Sequence, residues 1–391
     1  MNQTKNDLHV THIASGDLWA GAEVQLYTLC TTLNYFNDVK VSVVLFNHGT
    51  LENKLRKSGI HVEVIDESKF NALLIFSRLV KTLKRLNPNI VHTHRVKENI
   101  LGSLASQFVG LKPSIRTVHG APEHRPSFRK PHKCLLLFLD WFCARYLQSA
   151  IVAVSEDLEH LLKRSYPLKK IVTIENGIDT HNLYPFPSNT NAIQKEKQTP
   201  FKVGLVGRLV PVKRVDLYIE AARYLKLNYP DLPVHFHIYG DGPLLENLKQ
   251  LSNSLVVSDI VSFEGHCNTI HQEIASLDAL LITSDHEGLP MTLLEALALG
   301  TPVIAHSVGG ITKACKDGEC CWLISNNAPQ IIAEKLLECL KEKSEIKSTK
   351  IDLARSHIDQ YYSAQANALQ IKTTYQNVLN KEDNIQTVTF R

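Results

Sequence analysis

Two glutamates, Glu287 and Glu295, stand eight positions apart in the stretch HEGLPMTLLEALALGTPVIA, residues 286 to 305. A carboxylate accepts two hydrogen bonds at once, so each acid suits a diol on a sugar or a ribose. Between them the residues start a helix. Pro290 suits its first turn, Thr292 to Leu299 are helix formers, and Gly300 before Thr301-Pro302 stops it. Gly288 supplies a hinge in the preceding loop. The backbone of residues 290 to 292, at the helix start, makes a ready anion site. Glu287 falls in the loop and Glu295 about one and a half turns into the helix. The order along the chain is then sugar, phosphate, ribose. The same spacing also fits a surface acid followed by a helix with a satisfied glutamate, and spacing alone does not choose.

The stretch, read as E-x7-E inside EGLPMTLLEALALGTPVIA, resembles the signature of glycosyltransferase family 4, retaining enzymes of the GT-B fold. The resemblance implies an α/β chain of two Rossmann-like domains facing a central cleft, with a C-terminal helix crossing back to the first domain. It implies that Glu287 contacts the donor sugar and Glu295 the nucleotide ribose, with Gly288, Leu289, Pro290, Met291 and Thr292 lining the site. Other motifs of the family follow in order along nearly the whole chain.

Three of them concern phosphate and base. Phe201 to Lys213 (FKVGLVGRLVPVK) reads as strand, Gly207, then the cations Arg208 and Lys213 five residues apart. An arginine forks onto phosphate oxygens and a lysine adds a point charge. On their own they read equally as surface cations. The resemblance makes them the clamp on the nucleotide diphosphate. Gly240-Asp241-Gly242-Pro243 is a tight turn matching a G-x-G-P turn near the nucleotide. His266, after Glu264-Gly265, lies where the family contacts the base, and either stacks on it or simply ends a strand.

The first half holds the remaining candidates. Strand His9 to Ala14 leads through the loop Gly16 to Gly21 into a helix near Ala22. Gly21 there lets backbone approach a ligand closely. The family carries two adjacent glycines at this turn, and here one has become Ala20. His92, His94 and His119 sit at strand ends, where ligands of parallel sheets gather. His119, in the segment TVHG, matches a family histidine that faces the donor sugar. The alternative is a histidine satisfied within its own loop. His92 and His94 read as structural or acceptor-side. A two-histidine metal site has no third ligand at suitable spacing, so no metal is expected.

Composition bounds the rest. At 391 residues, 44% hydrophobic and 21% charged, the chain reads as an ordinary globular protein of two domains. No run of 18 apolar residues occurs, and MNQTKNDLHVTHI carries no signal-peptide core, which predicts a cytoplasmic protein. Eight scattered cysteines without a C-x-x-C pair read as reduced thiols. Residues 1–180 carry 23 Lys/Arg against 16 Asp/Glu, a basic half that fits an anionic partner such as a lipid-linked phosphate, or ordinary surface variation. The Pro- and base-rich segment Ala121 to Lys133 precedes the apolar run CLLLFLDWFCARYL. Together they resemble a membrane-surface element. The preferred reading is a core helix, because its apolar residues run nearly all round.

Alternating strands and helices predict parallel sheets. The expected divisions are residues 1–179, an acceptor-side domain; 180–200, a polar linker; 201–358, a nucleotide-sugar domain; and 359–391, a helix returning to the first domain, with its tail. The expected activity is retaining transfer of a hexose-type sugar from a nucleotide-diphosphate sugar to a glycan or lipid-linked glycan, in surface polysaccharide or lipopolysaccharide synthesis. His119, Glu287, Arg208 and Lys213 would be catalytic. No D-x-D occurs, so no metal or other cofactor is expected. Nucleic acid is not an expected partner. Peripheral contact with the cytoplasmic membrane face is a further expectation. Alternatives are a silent glycan-binding subunit, a GT-B sugar-nucleotide 2-epimerase, and a dehydrogenase-type Rossmann protein, which lacks its G-x-G-x-x-G fingerprint.

Overall fold

The computed structural model describes residues 8–17, 19, 21–111, 113–120, 131–183 and 199–389. The chain divides into two compact units, residues 1–177 with 364–391, and residues 178–363. The expected linker at 180–200 begins with a short helix, Thr180–Leu183, that belongs to the second unit, and its residues 184–198 lie outside the described ones.

The first unit is a seven-stranded parallel sheet. Its strands are β1 (Leu8–Ala14), β2 (Val39–Leu45), β3 (His61–Val64), β4 (Ile90–Thr93), β5 (Ser114–Val118), β6 (Ala150–Ala153) and β7 (Ile171–Thr173), in the spatial order 3-2-1-4-5-6-7. The inner strands are near-continuous apolar runs because helices cover both faces. Val10, Val43, Ile90 and Ile115 are buried among them. Helix ends follow local chemistry. Asn71 accepts the Leu74 amide at 3.0 Å ahead of helix Ala72–Leu86, and Ser155 accepts that of Leu158 ahead of Glu156–Lys163. The last helix, Ala364–Thr389, packs in this unit, where Ala368, Ile371 and Tyr375 join the core of β1 and β2. The strand order reverses between β1 and β4, which places a crevice at their C-terminal ends.

The second unit is a six-stranded parallel sheet of β8 (Phe201–Val206), β9 (Val234–Tyr239), β10 (Val261–Gly265), β11 (Ala279–Ile282), β12 (Val303–His306) and β13 (Trp322–Ile324), ordered 10-9-8-11-12-13. Here the reversal falls between β8 and β11. Helix Met291–Leu299 ends at Gly300, whose φ of 79° is left-handed, as a helix stop requires.

Two expectations need correction. The run after Cys134 is not a core helix. Helix Pro131–Phe142 and the π turn Cys143–Leu147 leave Leu135, Leu136, Phe138, Phe142 and Tyr146 exposed, because only one side packs on helix Val96–Phe108. The basic loop before it, residues 121–130, lies outside the described residues. The cysteines are not all free thiols. Cys315 and Cys321 form a disulfide, since the turn Lys316–Gly318 folds the chain back until their Cα atoms are 5.5 Å apart.

Candidate functional site

In the second unit the site grows from the ends of the two strands at the reversal. After β11 the chain runs through Thr283 and Ser284 to Glu287. After β8 it makes a 3-10 turn, Pro211–Lys213. The Thr283 hydroxyl donates to the carbonyls of Lys213 and Arg214 at 2.9 and 3.1 Å, which staples the two loops together. Lys213 Nζ then forms an ion pair with Glu287 Oε1, and Ser284 Oγ donates to the same oxygen at 2.6 Å. Thr292 joins Lys213, Ser284 and Glu287 around one small pocket.

The glycines of this region serve close packing. Gly240 has φ 139°, and a Cβ there would run into the carbonyl of Gly207, so the loops after β8 and β9 touch through backbone alone. Gly242 lies against the Leu209 backbone in the same way. On the other side, Gly310 N donates to Gly288 O at 2.7 Å and fixes the loop that carries Glu287.

Pro290 lies before the helix, with φ −70° and ψ 129°, and not in its first turn. Because proline has no N–H, the donors of the expected anion site would begin at Met291 and Thr292 and would not include residue 290. Leu289 is buried in the core with Leu293 and Leu294, so only its backbone is left to face a ligand. Glu295 pairs with His271 Nε2 at 3.5 Å. That hydrogen bond outweighs burial and raises the His271 pKa above its ordinary value. Arg208 and His266 are exposed beyond β8 and β10 and make no hydrogen bond or ion pair with Lys213, Glu287 or Glu295 among the described residues.

The first unit holds a second group of candidate side chains. His12 on β1 stands in register with His92 on β4, and His94 follows two residues on, on the same face. His119 comes just after β5. Gly21 opens helix Gly21–Asn34 with nothing within 4 Å of a Cβ placed on it, while Ala20 lies outside the described residues. His119 is not satisfied within its own loop. Its Nε2 bonds His94 Nδ1 at 3.1 Å, and its Nδ1 has no partner among the described residues. His94 and His119 line a pocket with Gln25, Thr117, Asn176 and Asn367. Burial holds these rings neutral. The pKa of His12 falls to about 3 and that of His119 to about 4, where Arg95 and Arg116 add to the effect of burial.

Sequence reasoning found no third histidine for a metal. His12 is that third ring, and ligand nitrogens of His12, His92 and His94 lie within 4.8 Å of one another. It also passed over Ser284, His271, Gln25 and the contact of Gly310 with Gly288. Ser284 bonds Glu287 only three residues on, within one loop, whereas packing between separate helices and loops joins His271 to Glu295 and Gly310 to Gly288, which no local motif encodes.

Two parallel Rossmann-like sheets, with acids and cations at the reversal of the second, define a GT-B glycosyltransferase architecture. Family models described as "Glycosyltransferase Family 4" and "Glycosyl transferases group 1" match residues 19–182 and 188–354. The chain belongs to this family of glycosyltransferases, of the type similar to surface-polysaccharide enzymes. It is 32% identical over 238 residues to the Escherichia coli UDP-Gal:alpha-D-GlcNAc-diphosphoundecaprenol alpha-1,3-galactosyltransferase, a match covering 59% of this chain and 61% of that protein. It is 26% identical to N-acetyl-alpha-D-glucosaminyl L-malate synthase of Bacillus anthracis, over 80% of this chain and 81% of that one. The crystal structure of Anabaena HepE in complex with UDP superposes with a TM-score of 0.79 at 23% identity, covering 94% of this chain and all of that one, and shares the fold.

Proposed function

We propose that the chain is a retaining, metal-independent glycosyltransferase. It moves a hexose-type sugar from a nucleotide-diphosphate sugar to a glycan or lipid-linked glycan in surface polysaccharide or lipopolysaccharide synthesis. The observation that carries this reading is Lys213, Ser284 and Glu287 converging beside the start of helix Met291–Leu299. In the reaction the bond from the anomeric carbon to the diphosphate breaks and a bond to the acceptor oxygen forms on the same face. The departing phosphate oxygen takes the acceptor proton. Lys213, Arg208 and the helix amides stabilise the leaving diphosphate. Glu287 holds donor hydroxyls and Glu295 the ribose. The name of the E. coli relative makes UDP-galactose and an undecaprenyl-diphosphate sugar the first pair to assay. An acceptor in a membrane also suits the exposed apolar residues of helix Pro131–Phe142, which would rest on the cytoplasmic face.

The first experiment is a thermal-shift panel of UDP, GDP, ADP and their sugars on wild type and Glu295→Ala. A ligand at one hundred times its Kd adds about 2.7 kcal/mol, a rise of roughly 5 to 10 °C. A shift with one nucleotide, lost in Glu295→Ala, is expected. Folded protein that shifts with none would favour a silent glycan-binding subunit. The malate-synthase relative makes transfer to a small soluble acceptor the second reading. Robust transfer there, with none to a polyprenyl-linked glycan, would establish it.

A further inference from the structure

His12, His94 and His119 form a continuous chain across three neighbouring strand ends. His12 Nδ1 lies 3.0 Å from His94 Nε2, and His94 Nδ1 lies 3.1 Å from His119 Nε2. Ring planes differ by only 21° and 26°, with centroids 5.3 and 5.4 Å apart. Each centroid distance exceeds its N···N distance by about the width of one ring, so the rings meet edge to edge. Their in-plane lone pairs and N–H bonds are therefore directed at each other. His92 is different: it lies face to face with His94 at 4.5 Å and commits its two nitrogens to Tyr375 and Thr117, each at 2.7 Å. A cation among His12, His92 and His94 would have to break the His12–His94 bond and one bond of His92.

A neutral imidazole has one N–H and one lone pair. The three rings must therefore run in one direction. Either all three carry the proton on Nδ1, or all three carry it on Nε2. The end atoms, His12 Nε2 and His119 Nδ1, have no partner among the described residues. One end must then carry an N–H and the other a lone pair. Both end nitrogens are enclosed, but the whole of His12 is buried in β1, whereas the His119 side chain is part-exposed and borders a small pocket that could admit an acceptor. An N–H without an acceptor costs most where nothing can enter to accept it. The charged groups near His119 leave this choice standing, because each is balanced: Arg95 pairs with Asp17 and Glu23, and Arg116 with Asp140.

We propose that His12 and His94 are positioning residues that lock His119 in its Nδ1–H tautomer, so that it presents a hydrogen-bond donor to a substrate oxygen. The role rests on the reading of His119 as part of a transferase site. The lock itself does not.

Long-range 1H–15N spectra of the full chain, labelled at histidine and recorded near neutral pH, read the tautomers directly. His12, His94 and His119 are each expected to show Nδ1–H, although free imidazole side chains favour Nε2–H in water. Nε2–H at any of the three, or an imidazolium among them, would overturn the proposal. Perturbation of His12, His92 and His94 by added Zn2+ together with thermal stabilisation would also overturn it and mark a metal site. His94→Phe cuts the chain, so His119 should revert to Nε2–H and kcat fall at least about tenfold, with the nucleotide thermal shift kept. His94→Asn, whose amide N–H replaces Nδ1–H, should restore both. If His94→Phe does not fold, the wild-type spectrum alone decides. Three Nδ1–H signatures without transfer from any nucleotide sugar would remove the transferase reading and leave the lock. Transfer with the opposite tautomers would do the reverse.

Discussion

At the residue scale, Glu287 is the centre of the candidate site because two donors share one of its oxygens. Lys213 supplies charge and Ser284 a neutral hydrogen bond, and both come from loops fixed by Thr283. The Lys213–Glu287 pair is only partly buried, so its own contribution to stability is small. Under the proposed reaction its value would be positional, holding an ammonium where the diphosphate would develop charge. Lys213→Ala is therefore expected to leave the melting temperature within a few degrees and to lower kcat by roughly 10²–10³, read by donor turnover at saturating acceptor. A large loss of stability with turnover intact would remove Lys213 from the chemistry. Gly309 tests the loop instead. Its φ is 55°, and an added Cβ would meet the Glu287 carbonyl. Gly309→Ala should weaken nucleotide binding at least tenfold by isothermal titration, by moving Glu287 without changing any charge. Glu295 has a pH signature through His271, whose pKa is raised by that partner. The pair's stabilisation is present below the unfolded pKa of about 6.5 and is lost as pH rises past the raised native value. His271→Gln should thus melt lower than wild type at pH 6 and equally at pH 9. The gap should stay below about 1 kcal/mol, because the pair is solvent-screened.

At the element scale, the strand ends of the first unit concentrate neutral histidines. His12 and His119 titrate near 3 and 4, and burial holds His92 and His94 well below the ordinary value. The unfolded chain takes up protons on these rings near pH 6.5 while the native chain does not, so acid favours unfolding. The contribution of these rings is expected to be full above about pH 7, so stability should fall steadily between about pH 6.5 and 4, as read by urea midpoints. A flat profile across that window would mean that these rings protonate in the native state. Elements of this kind were partly legible. Apolar runs, Asn71, Ser155 and Gly300 mark strand cores and helix ends because capping is local chemistry. Pro290 shows the limit: its ring suits both the cap and the first turn, and ψ decides between them. His12 was illegible as a partner of His94, because their contact depends on β1 lying beside β4, which no local spacing encodes. The Cys315–Cys321 bond was illegible for a different reason: only six residues separate the two, but it is the turn between them, and not a recognised cysteine spacing, that brings them together.

At the scale of the whole molecule, two sheets of the same build carry different charge and different surface. The alternation of strands and helices made the two parallel sheets legible, since each βαβ unit has one favoured hand and burial pattern. The surface of helix Pro131–Phe142 was not, because an apolar run reads alike whether it faces core or solvent. Its Leu135, Leu136, Phe138 and Phe142 are exposed, and the Phe142 ring lies 5.1 Å from that of Tyr146, which Arg145 approaches at 5.7 Å. No helix among the described residues is long and apolar enough to cross a membrane. Aromatic and leucine side chains entering the interface with arginine at the headgroups give binding that grows with anionic lipid and falls with salt. Wild type should therefore co-sediment with vesicles containing phosphatidylglycerol, less in 0.5 M salt, and little with purely zwitterionic ones. Leu136→Glu/Phe138→Glu replaces two buried-on-binding groups by charges and should lower the bound fraction at least tenfold. Its nucleotide-induced thermal shift should match wild type, because the substitutions lie in the first unit and the candidate nucleotide site in the second. Equal sedimentation of the two proteins would leave this apolar face without a membrane role and move the acceptor question toward soluble glycans.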